Sequence, residues 1–158
     1  ETTRTLLASA IAHPGYRYGY ARGIVHISDG RIPGAAFGYP SEDEAQIDQP
    51  FSVVMQQHRL DPAHRLFTDL EAFPDEWYLD TLAVAPQQRG RGIGAALLHA
   101  LPEMALANGK NRIGLNVDET NPGARRLYSR LGYQTVGTRQ LSGHRYEHMQ
   151  KTLNHRKH

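Results

Sequence analysis

The chain of 158 residues contains no cysteine, which excludes a disulfide framework, a thiolate metal site and a cysteine nucleophile. No apolar run approaches the ~18 residues of a membrane-spanning helix, and no segment has the order of a signal peptide, so a cytoplasmic location and no membrane contact are expected. No Gly-Lys-Ser/Thr triplet occurs, which removes a Walker loop, and no His-Glu-x-x-His is present. His144 and His148 lie four apart on an expected strand, on one face but far apart, so no metal site is expected. Internal repeats and low-complexity tracts are also lacking.

Hydrophobic residues make up 39% and charged residues 22% of the chain, ordinary values for one globular domain with a buried core. The net charge of +2 is unevenly spread: residues 1–88 hold 12 acidic against 6 basic residues, and residues 89–158 hold 4 against 12. One half suits a cation and the other an anion, unless folding intermixes them or the charges are only solvated. Nucleic acid is not an expected partner, because no aromatic-basic interleaving or helix-turn-helix pattern appears.

Trp77 to Ala85 is rich in aromatic and apolar residues and is closed by Pro86, the pattern of a strand. From Ile93, apolar residues at 93, 97, 98 and 101 mark one helical face. Between them lie Arg89, Gly90, Arg91, Gly92 and Gly94. A helix start has unpartnered N–H groups and the positive end of the helix dipole, glycines admit an anion to the backbone, and arginines add charge. The stretch suits a pyrophosphate, or else is a tight turn with solvated arginines. Gly90 to Ala95 fits a dinucleotide fingerprint formally, but no acidic residue ends a second strand about 20 residues later.

Thr3 to Ala12 has helical spacing and ends at His13-Pro14-Gly15. Residues 16–28 read as a strand region, Asp29-Gly30 as a hairpin turn and Ile32 to Tyr39 as its second strand. The acidic run 41–48 reads as a loop, Pro50 to Leu60 as a helix, and 61–74 as a connector. Pro102 predicts a kink or break in the helix from Ile93, which Asn108-Gly109 would cap. Arg112 to Val117 alternates as a strand, and Asn121-Pro122 starts a helix with Ala124, Leu127, Tyr128 and Leu131 on one face. Tyr133 to Gln140 and His144 to Leu153 read as a closing hairpin around Ser142-Gly143, with a basic tail at 154–158.

Arg89-x-x-Gly92-x-Gly94 after a strand ending in Leu-Ala-Val resembles the acetyl-CoA signature of the GNAT (GCN5-related N-acetyltransferase) superfamily. Asn116 to Tyr133, with its Asn-x-x-Ala-x-x-Leu-Tyr helix, is similar to the second signature of that family. The resemblance covers roughly residues 16–153 of a single domain spanning 1–153. The family's first strand and long first helix are not recognisable before Thr3. It implies an α/β fold with a mixed, mostly antiparallel central sheet flanked by helices and splayed around residues 77–85 and 112–117.

The resemblance further implies acetyl-CoA as co-substrate and no metal. The backbone of Leu82, Ala83 and Val84 would pair with the pantetheine arm, Arg89, Gly90, Arg91, Gly92, Ile93 and Gly94 would hold the pyrophosphate, Asn121 would touch the cofactor arm, and Tyr128 would also contact the cofactor. Tyr128 is the candidate acid for the leaving thiolate, since a phenol with a pKa of about 10 is protonated at neutral pH, although its helix face also suits a core tyrosine. Asp80 is the candidate base, an acid in an otherwise apolar strand, lying four residues before Val84 and expected on the same side of the sheet. A structural carboxylate, a base acting through water, and Glu76, expected to be solvated ahead of the strand, remain alternatives. Tyr39 and Trp77 would line the acceptor pocket or fill the core.

The expected reaction is direct acetyl transfer to a primary amine of a small molecule, by a possible homodimer. Acetylation of a protein N-terminus or lysine, and a non-catalytic acyl-CoA-binding sensor, are the alternatives. Glu42-Asp43-Glu44 either favours a cationic acceptor or is a solvated run.

Overall fold

The computed structural model describes residues 2–154 apart from 64 and 68. Ten elements follow one another: α1 Thr2–Ile11, β1 Gly23–Ser28, β2 Arg31–Pro40, α2 Gln49–Gln57, β3 Trp77–Val84, α3 Ile93–Ala107, β4 Arg112–Asp118, α4 Pro122–Arg130, β5 Gln134–Leu141 and β6 His144–Thr152. The strands form one sheet in the order β1-β2-β3-β4-β6-β5. Only β3 and β4 are parallel; the other neighbours are antiparallel. The expected mixed, mostly antiparallel sheet is therefore present. Among the described residues no helix is long and apolar enough to cross a membrane.

The splay is present too. β3 and β4 pair only at Trp77↔Ile113 and Tyr78↔Gly114, so beyond Tyr78 the two strands part. β3 stays bonded to β2 as far as Val84, and β4 stays bonded to β6 as far as Asp118. The sheet opens as a fork whose facing edges carry no ladder.

Helix α3 covers one face. Its Leu97, Leu98, Leu101 and Ala105 are buried against Ala36, Trp77, Leu79, Ile113, Leu115 and Val117, one alternating side of the strands. Leu127, Tyr128 and Leu131 of α4 pack against the same cluster, as their spacing predicts. The other face carries a second set, Tyr39, Ile47, Ala72 and Tyr78, while α1 and α2 pack together through Leu6, Ala10, Phe51, Val54 and Met55.

Three local expectations are corrected. Residues 16–22 form turns and a short 3-10 segment rather than a strand. Tyr16 and Arg17 are both buried at successive positions, which a strand with one solvated face does not permit. Pro102 does not break α3, which runs through it from Ile93 to Ala107. Leu101 and Ala105, both fully buried, hold the chain helical on either side, so packing outweighs the one hydrogen bond that proline cannot donate. Thirdly, α2 stops at Gln57, short of Leu60. Of the expected basic tail, only Asn154 is among the described residues.

Candidate active site

The loop from Arg89 to Gly94 lies between β3 and α3, where the sequence places it. Gly90 and Gly92 have φ of 79° and 75°, a left-handed conformation that a side chain makes costly. A Cβ on either would meet nothing within 4 Å, and one on Gly94 would meet only a Val84 methyl at 4.0 Å. The glycines therefore serve backbone conformation and leave the inner surface of the loop open. The first bond returning into α3 is from the Ala96 N–H to the Gly92 oxygen at 3.0 Å, so the N–H groups of Ile93, Gly94 and Ala95 have no carbonyl within the helix. Arg89 and Arg91 are exposed and form no ion pair among the described residues. An open glycine loop, free amides and two unpaired guanidinium groups fit a pyrophosphate.

The open end of the fork leads toward this loop, which follows β3. Leu82 and Val84 pack on the α3 side with Tyr128. Asp80 does not share their face, contrary to the expectation. Between the pairs Phe37↔Thr81 and Gly38↔Leu79 the register slips by one residue, leaving Asp80 as the extra residue of a β-bulge. The bulge reverses the alternation of β3: Trp77 and Leu79 face α3, and beyond the bulge so do Leu82 and Val84. Asp80 points to the opposite face, where its Oδ1 accepts a hydrogen bond from Arg17 Nη1 at 2.5 Å and its Oδ2 one from the Thr81 hydroxyl at 2.8 Å.

Arg17 is 2% exposed and meets three carboxylates. Its Nε and Nη2 donate to the two oxygens of Asp48, both at 3.1 Å, and Nη1 also donates to Glu71 Oε2 at 2.8 Å. The guanidinium lies 4.1 Å from the centre of the Phe67 ring. Glu44 turns inward to accept the Glu71 and Ala72 N–H groups at 2.8 and 3.2 Å. Glu42 pairs with Lys110 and Asp43 with Arg22, so each member of the acidic run has a partner. Burial, followed by the charge of Asp80, pushes the Glu71 carboxyl up to about 6 against the opposing effect of Arg17. Burial also raises the phenols of Tyr39, Tyr78 and Tyr128 above their ordinary value.

Glu76 is fully buried rather than solvated. Its carboxylate lies over Gly114, where a Cβ would collide with it, and meets His148 Nε2 at 2.6 Å. The Phe73 N–H and Gln150 Nε2 donate to it at 2.9 and 3.3 Å. His148 Nδ1 meets Asn116 Oδ1 at 2.7 Å, and Asn116 Nδ2 donates to the Glu71 carbonyl at 3.0 Å and to the Tyr78 hydroxyl at 3.1 Å. A polar chain thus runs beneath the fork from β6 to the Arg17 cluster. Tyr39 and Trp77 are core residues, and Asn121 caps α4 by accepting the Ala124 N–H at 3.1 Å.

Leu82, Val84 and Tyr128 all pack against the core cluster that α3 covers, which Ile93 of the glycine loop also joins, and Asp80 lies on the other face. Arg17 and Glu71 are not singled out by the sequence, and His148 is weighed there only as a metal ligand. The available signal was arithmetic only: Arg17 is one of six basic residues in an acidic half.

The model of the acetyltransferase (GNAT) family matches residues 22–133. A solved structure described as an acetyltransferase is 51% identical, covering 97% of this chain and 81% of that chain, with a TM-score of 0.91. An N-acetyltransferase from Staphylococcus aureus Mu50 is 25% identical over 92% of this chain and 78% of its own, with a TM-score of 0.77. Thialysine N-epsilon-acetyltransferase of Bos taurus is 39% identical over 59 residues, 37% of this chain and 35% of the bovine protein. The chain spans about a third or less of the length of the curated relatives it matches.

Proposed function

This chain belongs to the GNAT family of acetyltransferases, and we propose that it moves an acetyl group from acetyl-CoA directly to a primary amine of a small molecule. The observation that carries the reading is the fork in the sheet beside an open, positively charged helix start. A ligand with a pyrophosphate at one end and an extended amide-bearing arm at the other needs both features, in that order.

In this reading Arg89 to Gly94 hold the pyrophosphate, and the unladdered edge of Leu82, Ala83 and Val84 holds the arm, with Asn121 beside it. Bound acetyl-CoA supplies an activated acyl carbon and a thiol leaving group. The Val84 amide polarises the acyl carbonyl by donating a hydrogen bond. Tyr128 donates its phenol proton to the departing sulfur, and burial keeps that proton in place at neutral pH. A carboxylate of the Arg17 cluster takes a proton from the acceptor ammonium. The acceptor then enters from the face opposite α3, so acid and base work from the two sides of the sheet.

Three carboxylates around one guanidinium favour a cationic acceptor. The name of the bovine relative specifies an amino group of a small amino acid, which agrees with that class. Calorimetric titration with acetyl-CoA and with CoA, followed by thiol release with small amines and with peptides bearing a free N-terminus or lysine, tests the reading. Micromolar binding and turnover of small amines is expected. Turnover of peptides alone would move the assignment to protein acetylation, and binding without turnover of any amine would make the chain a sensor.

A further inference from the structure

We propose that Glu71, not Asp80, is the group that takes the proton from the acceptor amine, with Asp80 and Arg17 as its positioning residues. The proposal rests on the acetyltransferase reading above and assigns the base within the same site.

Residue 71 is tied to both strands at the point where they part. Its carbonyl accepts from Asn116 on β4 at 3.0 Å, and its carboxylate reaches Arg17 at 2.8 Å and the Tyr78 hydroxyl of β3 at 3.5 Å. Its N–H is anchored on Glu44 at 2.8 Å. These four contacts fix a connector residue at the closed end of the fork, where the two strands part.

The two carboxylates differ in what their oxygens have left to do. Asp80 has one oxygen on Arg17 and the other on the Thr81 hydroxyl, and its side chain is 5% exposed. To accept a proton on Oδ2 it would have to displace the Thr81 hydroxyl within a nearly closed site, while Oδ1 stays on the guanidinium. Glu71 keeps 19% exposure, one oxygen on Arg17, and a second whose one hydrogen-bond partner among the described residues, the Tyr78 hydroxyl, lies at the long distance of 3.5 Å. That second oxygen is free to accept.

Its surroundings also set its basicity. Among the described residues the charges that act on Glu71 are the Arg17 guanidinium and the Asp80 and Glu44 carboxylates; Asp48 and the Tyr39 hydroxyl share the same guanidinium, the Tyr78 hydroxyl lies close by, and Arg139 holds the carbonyl of the next residue, Ala72, at 2.7 Å. Burial and the anions hold the carboxyl near 6, close to neutrality, where a base is both unprotonated and strong enough to act. The cluster holds more negative than positive charge, so an arriving ammonium supplies the missing cation.

The step balances. Glu71 takes one proton from the ammonium, the nitrogen forms a bond to the acyl carbon as the carbon–sulfur bond breaks, and the sulfur takes the proton of Tyr128. Once bonded to carbon, the nitrogen gives up a second proton, which restores the Tyr128 phenol through water; Glu71 releases its own proton to water, and the net reaction yields amide, thiol and one proton.

The test is kcat/KM for acetylation of spermidine, putrescine, free lysine and a short peptide between pH 5 and 9, by thiol release, for wild type, E71Q and D80N. Wild type should lose activity below a limb near pH 6. E71Q should lower kcat at least a hundredfold and abolish that limb, with acetyl-CoA binding and melting temperature showing an intact fold. D80N should keep the limb and shift it to lower pH, because it removes an anion that raises Glu71. An E71Q rate within threefold of wild type with its limb intact, or a limb that D80N abolishes, would overturn the assignment. If E71Q does not fold, the D80N limb decides alone. No turnover by wild type with any of the four amines would overturn the acetyltransferase reading, and this assignment with it.

Discussion

Glu76 and His148, both fully buried, face each other at 2.6 Å across the space that Gly114 leaves open. The backbone carbonyl of Glu71 can only accept, so Asn116 must turn its Nδ2 toward it and its Oδ1 toward His148. His148 Nδ1 therefore donates to Asn116, and a proton must lie between Nε2 and the Glu76 carboxylate. Removing one partner leaves the other buried without compensation. Glu76→Ala should cost about 3–5 kcal/mol, a fall in melting temperature of roughly 6–20 °C for a domain of this size. Gly114→Ala, whose methyl would collide with the Glu76 carboxylate, should destabilise in the same direction. Thermal unfolding checks both, and an unchanged melting temperature would show that the pair can relax away.

Gly92 joins conformation to binding. At φ 75° an alanine should cost about 1–2 kcal/mol in stability and weaken acetyl-CoA binding modestly. Glu at the same place adds a carboxylate beside a site meant for an anion, and should abolish binding while leaving the circular dichroism spectrum intact. Calorimetric titration of wild type, Gly92→Ala and Gly92→Glu with acetyl-CoA and CoA distinguishes them. Equal affinity for all three would mean that the loop is only a turn.

What sequence could and could not reveal divides by distance along the chain. The glycine-arginine loop, the Asn121 cap and the inward face of Ala124, Leu127, Tyr128 and Leu131 are local patterns, and each is present as read. The Arg17 cluster joins residues 31, 54 and 63 positions apart, and Glu76 lies 72 positions from His148. No periodicity links such residues, so Glu76 reads as solvated and Glu71 as part of a connector. The bulge at Asp80 is invisible for another reason. Apart from Thr81, residues 77–85 are apolar or aromatic on both sides of Asp80, so a reversal of alternation leaves no mark, and Asp80 is assigned the wrong face. Pro102 misleads because a local rule meets a helix held by buried Leu101 and Ala105.

The pH dependence of stability should report Glu71 directly. Its folded pKa of about 6 lies above the ordinary 4.5, so the folded protein binds more protons than the unfolded chain between those values. Its contribution to stability is therefore greatest below pH 4.5, declines as pH rises to about 6, and stays at its lowest above that. Glu71→Gln cannot lose a proton. The melting temperature of E71Q relative to wild type should rise by a few degrees between pH 4.5 and 7, over whatever constant offset the lost Arg17 contact introduces. A difference that stays flat with pH would place the Glu71 carboxyl at its ordinary value.

Tyr128 separates packing from chemistry most cleanly. Its ring lies 5.7 Å from that of Tyr133 in an edge-to-face arrangement and packs against the core around α3, contacts that Phe can reproduce. Tyr128→Phe should therefore leave the melting temperature and the affinity for acetyl-CoA nearly unchanged. Removing the Tyr128 hydroxyl proton on the α3 side of the fork should lower kcat by about 10²–10⁴ if that proton goes to the sulfur. The fork makes the comparison with E71Q informative. Loss of the acid leaves proton removal from the amine intact, so Y128F should keep the limb near pH 6 that E71Q loses, although both are slow. A Y128F enzyme with wild-type kcat would reduce the tyrosine to a core residue, and the sulfur would then have to take its proton from water entering the open edge of β3.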